Sequence, residues 1–417
     1  MSHSPYAAVK IPDFRLLLAG RLLVTLSVQI QILAVGWQMY ELTKNPLFLG
    51  FLGLSEAIPA LSVALYAGHV ADVVDRRLII MGASGLLAFC MLALCGGSHL
   101  MAAETDILVG ILFAVVALSG FGRGFYGAAI FGMISQVVPR ELYGNAAAWN
   151  TANWQGSAVL GPIIGGFVYL RYGPVVTYGL CTILLVAGIF CFLGIKSKSD
   201  HVVDKDVSVI ENIKEGLRFV FSNEIIWGSM AVDLFAVLFG GAVALLPIFV
   251  GEVFKMGPEA LGFLRAAPPV GALLTAALFT HRPINMNAGK IFLTSVAGFG
   301  ICMIAFGLST NYYVSFALLA ISGALDGISV LLRSTIYQLL TPDNMKGRFA
   351  AVNNMFIGSS NEIGSFESGL AAKLMGLVPS VVFGGCMTLL VVTTTIIKAP
   401  NLWKLHMQNL YEEKPQH

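Results

Sequence analysis

Four ionisable side chains, Arg21, Arg123, Asp233 and Asp326, stand inside stretches of sequence that are otherwise apolar. A charge among hydrocarbon costs roughly 2.5–3.5 kcal/mol on insertion scales, so each of these residues points to function. Guanidiniums and carboxylates in such surroundings can form and break ion pairs, and a carboxyl can take up and release a proton. An internal repeat relates the four. Sliding the chain on itself by about 203 residues matches Ser119, Gly120, Gly124, Pro139, Asn150, Gly161 and Gly166 with Ser322, Gly323, Gly327, Pro342, Asn353, Gly364 and Gly369. A shift of about 212 pairs Ala19, Pro46, Gly50, Phe51 and Leu52 with Ala231, Pro258, Gly262, Phe263 and Leu264. In these registers Arg21 falls on Asp233 and Arg123 on Asp326. The pattern predicts ion pairs between arginines of the first half and aspartates of the second, made in one conformation and broken in another. Permanent salt bridges that only fix helix packing are the alternative. Asp233 and Asp326 are also the candidates to carry a proton, because a carboxyl's hold on its proton answers to burial and to a nearby guanidinium.

A second acidic group comprises Glu56, Glu362 and Glu367. Glu362 closes the polar stretch Ser359-Ser360-Asn361-Glu362, too concentrated to face lipid; it either lines a cavity or hydrogen-bonds helix to helix. Arg333 and Arg265 lie near the ends of their spans, where a long side chain can snorkel to the interface. Asn150, Asn153, Asn353 and Asn354, with Trp37, Phe125 and Trp154, could line a polar and aromatic cavity, although most aromatics in so apolar a chain simply pack.

The elements that must hold these residues are membrane spans. Of the 417 residues, 57% are hydrophobic and 12% charged, and the mean hydropathy is +0.80. Soluble domains carry about 25% charged residues, so most of this surface faces something other than water. Crossing a bilayer takes about 20 apolar residues. The first half offers Phe14–Tyr40, Leu47–Val70, Leu78–Gly97, Ile107–Val138, Ala146–Leu170 and Val175–Ile195. The second offers Ile225–Val250, Leu261–Phe279, Ile291–Leu308, Tyr313–Leu339, Phe349–Leu374 and Val381–Ile397. The expected fold is an all-α membrane protein of twelve transmembrane helices in two six-helix halves related by pseudo-two-fold symmetry.

The domain reading follows: an N-terminal half at 1–195, a linker at 196–224, a C-terminal half at 225–398 and a tail at 399–417. The linker carries Val207, Ile210, Ile213, Leu217 and Val220 at helical spacing. That is an amphipathic helix, lying on the inner membrane surface or packed on protein. With both termini inside, seventeen of the 25 lysines and arginines fall in or beside cytoplasmic segments, and only Lys44, Arg171, Lys255 and Lys373 fall outside. The positive-inside rule therefore places both termini in the cytoplasm.

Other chemistries find no support. The six cysteines lie in apolar runs and read as small buried hydrophobes. The seven histidines lie in tails, loops or helix ends, so no metal site is expected at membrane depth. No G-x-x-x-x-G-K-[ST] loop occurs, so ATP is not expected to be hydrolysed here. A net charge of +2 without a basic patch gives no reason to expect nucleic acid. No cleavable signal is expected, because the first apolar run is too long. A two-fold repeat of six spans suits a secondary transporter, whose site lies between the halves.

Two motifs give that reading a family. The stretch after the second span contains Gly68, Asp72, Arg76 and Arg77 in the order of the G-x-x-x-D-R-x-G-R-[RK] loop of the major facilitator superfamily, with Val73 for the first arginine and Asp75 for the second glycine. The fifth span carries Gly156, Gly161, Pro162, Gly165 and Gly166, similar to the G-P-x-x-G-G motif of that superfamily's proton-coupled exporters. Tyr40-Glu-Leu-Thr43, Leu340-Thr-Pro-Asp343 and Ile357-Gly-Ser-Ser-Asn-Glu362 resemble the branch that includes the enterobactin exporter and related multidrug exporters. The resemblance implies the major facilitator fold in a bacterial inner membrane. It implies no cofactor beyond a proton gradient, a small organic substrate such as a siderophore or drug, lipid around a monomeric carrier, and export by alternating access. A nutrient importer and a non-transporting receptor or assembly factor are the rival readings.

Overall fold

Hydrocarbon offers backbone N–H and C=O groups no partner, so a chain this apolar must satisfy them within helices. The computed structural model describes residues 6–196, 209–281, 287–342 and 345–406, and among these there is no strand. Lys198, Lys205, Arg282 and Lys414, counted above for orientation, lie outside the described residues, as do 197–208 of the linker and 407–417 of the tail.

After a 3-10 turn at Ala8–Lys10 come α1 (Pro12–Thr43), α2 (Pro46–Val73), α3 (Arg76–Leu100), α4 (Thr105–Val137) and α5 (Tyr143–Leu193). The second half runs α6 (Val209–Ser222), α7 (Glu224–Phe239), α8 (Ala242–Ile248), a π-helical turn at Phe249–Val253, α9 (Pro258–His281), α10 (Ala288–Leu308), α11 (Tyr312–Leu340), α12 (Lys346–Met375), α13 (Leu377–Lys398) and the short α14 (Pro400–Trp403). Helix ends are set locally. Pro12 opens α1, where its missing N–H has no partner to lose. Asn223 and Asn311 cap α7 and α11 through the amides two and three residues on.

Among the described residues, ten helical stretches are long and apolar enough to cross a membrane. Two further crossings complete the twelve. At 51 residues α5 would run about 77 Å if straight, more than twice the hydrocarbon thickness. It breaks at Gly173, whose φ of 76° and ψ of −177° suit glycine alone, and Pro174 follows. The other crossing is α12, 30 residues long, whose polar Ser360-Asn361-Glu362 run lowers its mean hydropathy. The seventh span is discontinuous, broken between α7 and α8 at Gly240-Gly241.

The chain divides into two compact units. Unit 1 holds residues 1–44 and 52–205 with 256–266; unit 2 holds 45–51 and 206–255 with 267–417. Each therefore includes the first turns of a helix whose remainder belongs to the other. In unit 1 a Cβ on Gly120 would collide with the Glu56 carbonyl, and Gly124 lies against Ala60. In unit 2 Gly323 meets the Pro268 carbonyl and Gly327 lies against Ala272. These four contacts obey both repeat registers at once. The start of α9 packs on α5 through Gly166 against Pro258, and the start of α2 packs on α12 through Gly369 against Pro46. The repeat is thus a repeat of close backbone contacts, which only small residues permit.

Of the two positions open for the linker helix, α6 takes the one on protein. Val220 is fully buried, Gly216 abuts the Arg348 backbone of α12, and Glu215 pairs with Arg348. All six cysteines are unbridged; Cys90, Cys181 and Cys302 are buried, whereas Cys386 is exposed, so burial does not hold for every one.

Candidate functional site

In unit 1 the charges gather where α4 crosses α2. Because Gly120 has no side chain, α4 touches the backbone at Glu56. Arg123, one turn further along α4, is thereby brought onto the Glu56 carboxylate as an ion pair. The two side chains keep 20% and 24% of their exposure. Arg265, on the turn of α9 that packs in this unit, lies within electrostatic reach of the same carboxylate. Glu56 thus pairs with one arginine and lies in the field of a second. Arg21, on α1, has Tyr126 of α4 as its electrostatic neighbour.

In unit 2, Asp233 of α7 pairs with Arg333 of α11. This pair is deeper, at 12% and 7% exposure. Ser229, one turn before Asp233, donates to the Tyr337 hydroxyl at 3.3 Å, and Tyr337 lies one turn beyond Arg333. Asp326 sits mid-way along α11, exposed and without an ion pair among the described residues.

The partners differ from those the repeat suggests. Arg123 is paired with Glu56, and Asp233 with Arg333, each within its own unit. The physical reason is that a charge at this depth is held by whatever opposite charge its own helix contacts supply, and sequence symmetry is blind to those contacts. Arg333 corrects a further expectation: it does not snorkel but is 6% exposed and neutralised inside the bundle.

The residues of the α2–α3 loop act on neighbouring helix backbones. Arg76 donates from Nε to the Ala71 carbonyl (3.0 Å) and from Nη1 to the Gly132 carbonyl of α4 (2.9 Å). Arg77 donates from Nε to the Phe192 carbonyl (2.9 Å) and from Nη2 to that of Leu193, the last carbonyls of α5. A guanidinium there adds charge-assisted donors to the terminal carbonyls and complements the helix dipole. Asp75, which stands in place of the motif's glycine, accepts from the Arg77 amide at 2.9 Å and caps α3. The Asp72 side chain lies outside the described residues, and Gly68 faces open space. Arg77→Ala is expected to destabilise the protein by about 1.5–3 kcal/mol, the worth of a hydrogen bond to a charged group. A lowered melting temperature in detergent checks this.

The glycines of the fifth span divide in use. A Cβ on Gly161 would press on Gln29 Cβ (2.5 Å), and one on Gly165 on Ile30 (3.3 Å), both on α1. Gly166 meets the Pro258 carbonyl, and the Pro162 carbonyl in turn lies against Gly262. Gly156 meets nothing within 4 Å.

Among the expected lining residues, Trp154 is exposed and Asn150, Asn353 and Phe125 are partly so. The Asn354 side chain lies outside the described residues. Trp37 is buried instead, its indole donating to Glu41 Oε1 at 2.8 Å, since a buried indole N–H requires an acceptor. Glu41 escaped the sequence reading although it also accepts from Tyr169 at 2.6 Å. Tyr126 was missed too; its spacing of three from Arg123 puts both on one helix face and could have exposed it. Glu362 is half-buried. Among the described residues no group of three or more His, Cys, Asp or Glu side chains could hold a metal ion.

Comparison with known proteins agrees with this architecture. The chain is 25% identical over 342 residues, 81% of its own length and 80% of theirs, to the enterobactin exporter EntS of Escherichia coli O1:K1 and to that of Shigella boydii serotype 4. Among solved structures it resembles a bacterial homologue of the iron transporter ferroportin in an inward-facing state (TM-score 0.71, 15% identity, covering 94% of this chain and 99% of that one). It also resembles a D-xylose–proton symporter (TM-score 0.74, 13% identity, 94% and 99%). Both show the fold. The sequence matches the family described as transmembrane secretion effector over residues 3–414. With its twelve spans, doubled packing pattern and charges at membrane depth, the chain belongs to that family, a non-catalytic transport family of the major facilitator superfamily.

Proposed function

We propose that this secondary transporter is a proton-coupled exporter of small amphipathic organic molecules, siderophore- or drug-like. It works as a monomer in a bacterial inner membrane with both termini cytoplasmic. Halves 1–195 and 225–398 alternate access, joined by the linker at 196–224, with the tail at 399–417 in the cytoplasm. The observation that carries the reading is the pair of ion pairs, Glu56 with Arg123 and Asp233 with Arg333, each inside a span. An ion pair at that depth can be broken by protonating its carboxylate, which gives a proton differential contacts in two conformations. Exposed Asp326 would exchange the proton. Similarity to EntS, an exporter, and the Gly161-Pro162 motif support the outward direction.

Everted membrane vesicles test this. Adding a transported compound to acidified vesicles is expected to release protons with the wild type. Asp326→Asn is expected to abolish that release while leaving substrate exchange. Unchanged proton release in both Asp326→Asn and Asp233→Asn would overturn the coupling role, and concentrative uptake by right-side-out cells would overturn the direction.

A further inference from the structure

Arg21 lies nine residues into α1, about 13 Å from its start and so within the hydrocarbon. Among the described residues its guanidinium has no carboxylate and no hydrogen-bond acceptor. Among the described residues, the carboxylates of α1 and α2 are already engaged. Glu56 is taken by Arg123 with Arg265 in reach, and Glu41, at the other end of α1, is held by Trp37 and Tyr169. Arg21 is left as a net positive charge.

Its surroundings hold further unmet polar atoms. The Tyr126 hydroxyl is buried, within electrostatic reach of Arg21, and without a hydrogen-bond partner. From α5, Asn153 donates through Nδ2 to the Leu18 carbonyl at 2.8 Å, one turn before Arg21. That leaves its Oδ1 buried and unpartnered. Ser157 Oγ, one turn further along the same face of α5, is in the same condition. Native interiors rarely leave a buried polar atom unpaired. Unmet atoms from two helices, α4 and α5, near an unpaired guanidinium on a third, α1, are what a polar ligand would satisfy.

The atoms also state what kind of ligand. A guanidinium presents parallel N–H donors that match the two oxygens of an oxyanion. The Tyr126 and Ser157 hydroxyls can donate to the same group, and Asn153 Oδ1 can only accept, so it calls for a hydroxyl or N–H beside the anion. We propose that Arg21, Tyr126, Asn153 and Ser157 form the subsite that receives the anionic group of the transported molecule, an organic oxyanion flanked by a hydrogen-bond donor. This deepens the carrier reading above and rests on it.

Three probes of similar shape separate the possibilities: salicylate, its neutral amide salicylamide, and cationic benzylammonium. Binding is measured by equilibrium dialysis of the purified full chain in detergent. Salicylate is expected to bind at least about tenfold more tightly than salicylamide, the least that a charge-assisted hydrogen bond is worth, and benzylammonium is expected not to compete. Arg21→Gln removes the preference, Arg21→Lys keeps part of it, and Tyr126→Phe weakens salicylate binding severalfold. Should Arg21→Gln fail to fold, the Arg21→Lys and Tyr126→Phe variants still decide. The subsite is overturned if wild type does not bind salicylate, if benzylammonium competes as well as salicylate, or if a folded Arg21→Gln protein keeps the preference. Vesicle flux keeps the two readings apart: transport without any anion preference removes the subsite alone, and Arg21-dependent binding without transport removes the carrier alone.

Discussion

Arg333→Gln is expected to be the most damaging single substitution in unit 2. It leaves Asp233 at 12% exposure without its counter-charge. Removing one member of a buried ion pair costs about 3–5 kcal/mol, because the remaining charge stays desolvated and unpaired. A marginally stable membrane protein then loses most of its folded population, which size-exclusion chromatography and thermal melting in detergent would register. The double variant Asp233→Asn/Arg333→Gln is expected to restore folding, since two neutral groups of similar volume can hydrogen-bond where the ions stood. Proton-driven transport should stay lost in the double variant, because no titrating carboxyl remains at that place. A single variant that melts like the wild type would show that Arg333 is not needed to neutralise Asp233.

Glu56→Gln should produce the largest transport defect with the smaller folding defect. The Glu56–Arg123 pair keeps 20% and 24% exposure, about two to three times that of its counterpart in unit 2. Water therefore screens part of the charge that the substitution strands, and the folding cost is discounted accordingly. Function is a different matter, because this carboxylate pairs with Arg123 and lies within electrostatic reach of Arg265. If its charge-assisted bonds hold one conformation against the other, their loss amounts to about 1.5–3 kcal/mol, roughly 10–150-fold in transport rate. Initial-rate flux at matched protein levels checks this. Gly120→Leu reaches the same pair by another route, forcing α4 away from the Glu56 backbone without touching a charge. The two variants should share a phenotype; wild-type flux in Glu56→Gln would remove the pair from the transport cycle.

Several structural features were open to reading in the residues alone. Twelve crossings follow from apolar length, because a lipid-spanning backbone has no alternative to helix. The paired registers of about 203 and 212 residues were visible as recurring glycines, and the structure gives their cause: Gly120 and Gly323 sit at matching backbone crossings. The basic pair at Arg76 and Arg77 was recognisable as a motif. Its departure at Asp75 turned out to be a helix cap, which a local rule could have anticipated.

Which charge meets which was not legible. Arg21, Arg123, Asp233 and Asp326 could be picked out because charge in hydrocarbon is costly, a property of each residue by itself. Pairing depends on two helices and their rotation about their axes, and no term in the sequence carries that. So Arg123 meets Glu56, Asp233 meets Arg333, Asp326 stands exposed, and Arg21 faces an unpartnered phenol. Composition and spacing determined that this chain spans a membrane twelve times in two related halves and carries buried charge. Only the packing of helix on helix decided how that charge is neutralised and where it is left over.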